Sequence, residues 1–136
     1  MRHPAWLAAL FVLVLALCSG CRSGRGELRS LRGSVTYRER MALVSGTVIR
    51  VQFVDTSRSD APPVVIAQTE ILDHGQVPIP FEIRFPAGAI VPKGSYGLSA
   101  QIMLGTETLW HTPTPLAVLE AGLPAQPEVC LTRGGV

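Results

Sequence analysis

Hydrophobic and polar residues alternate along most of this chain. The period is two, which sets successive side chains on opposite faces of a β-strand. The clearest run is Ile79 to Phe85, where Ile79, Phe81, Ile83 and Phe85 alternate with Pro80, Glu82 and Arg84. Tyr96 to Leu104 repeats the pattern, with Tyr96, Leu98, Ala100, Ile102 and Leu104 on one face and Gly97, Ser99, Gln101 and Met103 on the other. In Val48 to Val54, Ile49, Val51 and Phe53 oppose Arg50 and Gln52. Val64 to Ile71 opens apolar on both faces, which reads as a central strand. Val35 and Tyr37 begin an earlier strand, and Leu109 to Thr112 and Val129 to Thr132 are shorter candidates.

Turn signals separate these runs: Asp60-Ala61-Pro62-Pro63, Asp73-His74-Gly75-Gln76, Pro86-Ala87-Gly88, Pro92-Lys93-Gly94-Ser95 and Gly105-Thr106-Glu107-Thr108. The chain holds 11 prolines, which oppose long helices. Ala117 to Ala121, hemmed by Pro115 and Gly122, is weakly helical in pattern. The spacing predicts an all-β domain: a small antiparallel β-sandwich of about seven strands, or a partly open barrel. Pro78 and Pro80 remove donors from one side of the fourth strand, so its start belongs at a sheet edge. Prolines there also protect the edge against unwanted pairing.

The N-terminus breaks the alternation. Arg2 and His3 precede an apolar run from Ala5 to Leu17, followed by Cys18-Ser19-Gly20-Cys21. This is the layout of a bacterial lipoprotein signal peptide. The run holds 13 residues, too few for a membrane span of about 20. Cys18 follows the bulky Leu17, whereas Cys21 follows the small residues Ser19 and Gly20, so Cys21 is the expected lipidation site. Three acyl chains (palmitate or its like) on Cys21 would hold the protein on a bilayer, since each buried methylene contributes roughly 0.8 kcal/mol. The expected organisation is a signal peptide over 1–20, a flexible lipidated tether over 21–32 and a β-sandwich domain over 33–133.

Composition narrows the partners. A formal charge of +2 with no Lys/Arg stripe gives no footprint for nucleic acid. The densest basic stretch, Arg22, Arg25, Arg29 and Arg32, falls in the expected tether and reads as a solvated segment. With Cys18 cleaved and Cys21 acylated, Cys130 has no disulfide partner, and it reads as a packed thiol in Glu128-Val129-Cys130-Leu131.

No catalytic constellation is visible. His74 lies in a turn, where solvent exposure is expected, and His111 follows Trp110 in a short strand. Neither has metal-ligand spacing, no Gly-x-Ser-x-Gly elbow is present, and no cofactor is implied. Asp55 and Asp60 bracket the polar loop Thr56-Ser57-Arg58-Ser59, where Asp commonly caps turns. Trp110 reads as a core or hairpin-packing residue. The reading is therefore noncatalytic, with no metal site. A second reading, a periplasmic small-ligand or metal-binding sensor, would use His74, Asp55 and Asp60 as contacts.

Four segments in order resemble the YbaY/YscW-type bacterial lipoproteins. They are Gly33 to Leu43, Val51 to Pro62, Gly75-Gln76-Val77-Pro78-Ile79-Pro80-Phe81, and Tyr96 to Ile102. The resemblance covers about Gly33 to Met103. After Leu104 the prolines Pro113, Pro115 and Pro124 depart from the family's hairpin and following strand, which leaves the C-terminal strand count open. The resemblance implies a small β-sandwich on a lipid anchor, without catalytic residues. Some members are pilotins of type III secretion, which bind a secretin and bring it to the outer membrane. Arg22 after Cys21, in place of Asp, implies the periplasmic face of the outer membrane. The expected partners are the membrane, through the anchor, and a secretin or other envelope protein.

Overall fold

A computed structural model of the protein describes residues 26–120, 122 and 124–135. The signal peptide over 1–20, Cys18 and Cys21 lie outside the described residues. Eight strands follow in order: β1 Leu28–Tyr37, β2 Thr47–Asp55, β3 Val64–Ile71, β4 Ile79–Pro86, β5 Tyr96–Leu104, β6 Glu107–His111, β7 Leu116–Val118 and β8 Glu128–Arg133. A single 3-10 turn, Ala87–Ala89, sits between β4 and β5. No helix among the described residues is long and apolar enough to cross a membrane.

The strands join in the order β3-β2-β5-β6-β8-β1-β4, with β7 also paired to β5. The path folds back on itself. β3-β2-β5 forms one wall, β4-β1-β8 the other, and the short β6–β8 pairing at Trp110↔Arg133 and His111↔Thr132 joins them. At the far corner β3 and β4 approach without pairing, so the sandwich stops short of a closed barrel. β4 is an edge strand, as Pro78 and Pro80 require.

The alternation of the sequence becomes the core. Ile79, Phe81, Ile83 and Phe85 are buried from one wall, and Ile49, Val51, Phe53, Leu98, Ala100 and Ile102 from the other. Apart from Ala100, each of these side chains contributes about 1.5–3 kcal/mol on burial. Phe53 bridges the walls, its ring centroid 4.6 Å from that of Phe85 and 5.7 Å from that of Tyr96. The Arg29 guanidinium lies 5.9 Å from the Phe85 ring centroid and closes this end of the core.

Several expectations need correction. β1 begins at Leu28 and pairs along Leu28–Val35 with Pro86–Ile79, so residues 28–32 belong to the sheet and not to a tether ending at 32. Leu31 is already buried. The alternation is masked there because Arg29 and Gly33 occupy core-facing register. β3 is an edge strand, not a central one, and Val64 and Val65 are exposed. A register shift between Phe53 and Val54 carries its start away from the core. The weakly helical Ala117–Ala121 gives way to β7, which hydrogen-bonds Tyr96–Leu98, and Leu119 then turns in the left-handed region.

One pairing is parallel. Ser34–Tyr37 of β1 runs alongside Glu128–Leu131 of β8, so the sheet is mixed, with antiparallel pairing elsewhere. Gly33 permits the approach, because a Cβ at this position would collide with the Pro127 carbonyl and the Phe81 ring.

Candidate protein-interaction surface

One end of the sandwich carries a groove of about 220 Å³. Its walls are Met41, Ala42 and Val44 of the β1–β2 loop, Leu104 and Glu107–Trp110 of the β5–β6 hairpin, and Arg133 and Gly134 at the end of β8. Met41, Val44 and Leu104, exposed large apolar residues, all line this groove, so it presents apolar surface to a partner.

The groove is held by specific bonds. Tyr37 donates its hydroxyl proton to the Met41 carbonyl. The Gln76 side chain reads the Leu43 peptide twice: Oε1 accepts from Leu43 N–H at 2.7 Å and Nε2 donates to the Leu43 carbonyl at 3.4 Å. His74 Nε2 lies 2.9 Å from both the hydroxyl and the carbonyl oxygen of Thr47, and its Nδ1 lies 2.8 Å from the Gly75 carbonyl. The segment His74-Gly75-Gln76 therefore clamps the β1–β2 loop at its middle and where it enters β2. On the other wall, Gly105 adopts φ 60° in the tight hairpin, and Gly134 N–H donates to the Leu109 carbonyl at 2.8 Å.

Trp110 stands between groove and core. Its ring stacks on Tyr37 at 4.6 Å between centroids and 15° between planes. Its indole N–H is shut off from solvent without a hydrogen-bond partner, and so is Glu39 Oε2. Burial, reinforced by the charge of Glu39, raises the Tyr37 pKa above its ordinary value.

The structure separates the residues singled out for ligand chemistry. His74 is not an exposed turn histidine; it is half-buried and committed to Thr47 at the start of β2. Asp55 ends the same strand, which puts it about 26 Å away at 3.3 Å per residue. Asp55 accepts from the Ser57 N–H at 2.8 Å in a turn-capping role. The hydrogen bonds from Ser57, side chain first, lower its pKa. Asp60 pairs with Arg58 at 3.1 Å, and that hydrogen bond lowers its pKa. His111 lies on β6 opposite Gln101. Among the described residues no three His, Cys, Asp or Glu side chains come close enough to hold a metal ion. Cys130 is exposed and not packed, because Val129 and Leu131 take the inward positions of β8 and period two turns Cys130 out.

Sequence reasoning missed the groove. Its walls come from residues 41–44, 104–110 and 133–134, which only the fold brings together. The signal that could have found its support was Gly75-Gln76, which opens one of the four resembling segments.

Comparison with known proteins agrees with this architecture. Residues 27–131 match the family model described as "Type III secretion system lipoprotein chaperone (YscW)". The chain is 31% identical over 94 residues to the uncharacterized lipoprotein YbaY of Escherichia coli (strain K12), covering 68% of this chain and 50% of that one. It thus spans about half the length of that relative. Among solved structures, an alternative pilotin from the type II secretion system of Vibrio cholerae matches with a TM-score of 0.69 and 32% identity, covering 79% of this chain and all of that one.

Proposed function

Because this chain belongs to the YscW family of type III secretion system lipoprotein chaperones, we propose that it is a noncatalytic envelope lipoprotein that works by binding another protein. In this reading Cys21 carries the acyl anchor and the domain stands on the periplasmic face of the outer membrane. The groove beside Trp110 receives an apolar segment of its partner, a secretin subunit being the sharpest candidate.

The observation that carries the reading is the match to the Vibrio cholerae pilotin, which spans the whole of that structure at 32% identity. The exposed Met41, Val44 and Leu104 supply apolar area for a partner. The doubly clamped loop gives that area a fixed shape, so little ordering entropy opposes binding. A ligand or metal sensor built on His74, Asp55 and Asp60 lacks such support, since those groups lie at opposite ends of β2.

Fractionation of cells lacking the gene tests the proposal. Secretin should leave the outer-membrane fraction, return with the wild-type chain, and stay displaced with Cys21→Ser. Secretin assembled normally in the deletion strain would remove the pilotin reading.

A further inference from the structure

The opposite end of the sandwich, where β1 starts, has its own chemistry. Leu28 pairs with Pro86, and Glu27 accepts from the Ala87 N–H at 2.8 Å. The chain then crosses to the other wall, where Tyr96 pairs with Val118 and Asp55, and Asp55 with Val64. These residues share one end of the molecule. Four large apolar side chains are exposed there: Leu28 at 64%, Val64 at 63%, Val91 at 54% and Leu119 at 40%.

The backbone at this end is strained in a way that serves exposure. Lys93 (φ 67°) and Leu119 (φ 62°) are the non-glycine residues with positive φ among those described, and both lie at this end. Such a conformation costs an L-residue about 1–2 kcal/mol. The turn that contains Lys93 is closed by Gly94 N–H to the Val91 carbonyl at 3.1 Å, and it leaves Val91, Pro92 and Lys93 in solvent.

We infer that this end rests on the lipid surface, with Leu28, Val91 and Leu119 entering the boundary between headgroups and acyl chains. The inference rests on the proposed anchor at Cys21. Leu28 lies seven positions after Cys21, a reach of at most about 25 Å fully extended, so the β1 end must stay near the bilayer. The contact is carried by apolar side chains. Among the described residues at this end, Arg58 pairs with Asp60, and Arg29 and Lys93 are balanced in number by Glu27, Asp55 and Glu120, while Arg22 and Arg25 before β1 can add attraction to anionic headgroups. Lys93 can keep its ammonium among the headgroups while its stem lies on the lipid. This orientation leaves the groove beside Trp110 facing away from the membrane, open to a partner.

The test uses the full acylated chain in phosphatidylcholine vesicles carrying brominated lipid. An environment-sensitive fluorophore is placed at Val91→Cys or Leu119→Cys, or at Val44→Cys in the groove, each with Cys130→Ser. Quenching several-fold stronger at Val91→Cys and Leu119→Cys than at Val44→Cys is expected. It should appear without phosphatidylglycerol and survive raised salt, and Val91→Asp should abolish it at Leu119→Cys. Equal, weak quenching at all positions in protein that floats with the vesicles would overturn the inference and leave the anchor standing. Protein that does not float would overturn both. Quenching that requires phosphatidylglycerol would replace the apolar contact with an electrostatic one and also overturn it.

Discussion

Replacing Trp110 separates what its ring contributes from what its indole N–H costs. Trp110 is 5% exposed, stacks on Tyr37 and closes the base of the groove. Trp110→Ala removes the stack and opens a large cavity, which costs about 3–5 kcal/mol. Trp110→Phe keeps a ring for the stack and leaves a gap on the order of 40 Å³, or about 1 kcal/mol at 24 cal/mol per Å³. It also deletes the one indole donor that is buried without a partner, a group whose desolvation costs about 1–3 kcal/mol. The two terms oppose, so Trp110→Phe should change stability by no more than about 1 kcal/mol in either direction, whereas Trp110→Ala should remove about a third or more of a domain's stability. Urea unfolding followed by circular dichroism measures both, since the Phe variant loses the domain's tryptophan signal. If Trp110→Phe is as damaging as Trp110→Ala, the indole N–H contributes favourably and the reasoning fails.

Three further outcomes follow from the same geometry. Gly33→Ala should destabilise by about 1–3 kcal/mol through the clash with Pro127 and Phe81, read as a lowered thermal midpoint; an unchanged midpoint would show that the parallel β1–β8 seam is loose. Gln76→Ala should cost about 1–2 kcal/mol, and amide exchange should rise selectively around Leu43, because both of its bonds to that peptide vanish. Alkaline pH should weaken the fold through Tyr37. Its folded pKa lies above the unfolded value of about 10, so its contribution is intact below that pH and is lost as pH rises through the folded value; Tyr37→Phe should flatten the fall in urea midpoint across this range.

The sequence disclosed most where a strand had one wet and one dry face. Ile79–Phe85 and Tyr96–Leu104 needed nothing beyond period two, and Pro78 and Pro80 marked β4 as an edge because a missing donor has a direction. It disclosed least where position depends on distant pairing. Val64 and Val65 favour strand geometry at a sheet's centre or edge alike, so β3 could not be placed locally. The parallel neighbour of β1 lies nearly the whole domain away in β8. The N-terminal half of β1 was hidden by Arg29, whose guanidinium covers Phe85 from a position that pattern alone assigns to solvent. The groove failed for the same reason as the β1–β8 seam: a loop, a hairpin and a C-terminal segment form it only after folding. His74 looked like a surface turn residue because its partner, Thr47, lies in another strand.

The central claim is that the Trp110 groove of an anchored lipoprotein binds an envelope partner. Site-specific photocrosslinking in intact cells tests it most directly, with a photoreactive residue at Val44 in the groove or at the exposed Gln68 on β3, in the full-length chain. A crosslink to the secretin from Val44, absent from Gln68 and abolished by Met41→Asp, is the predicted result. A secretin crosslink from Gln68 with none from Val44, or none from either position, would contradict the account.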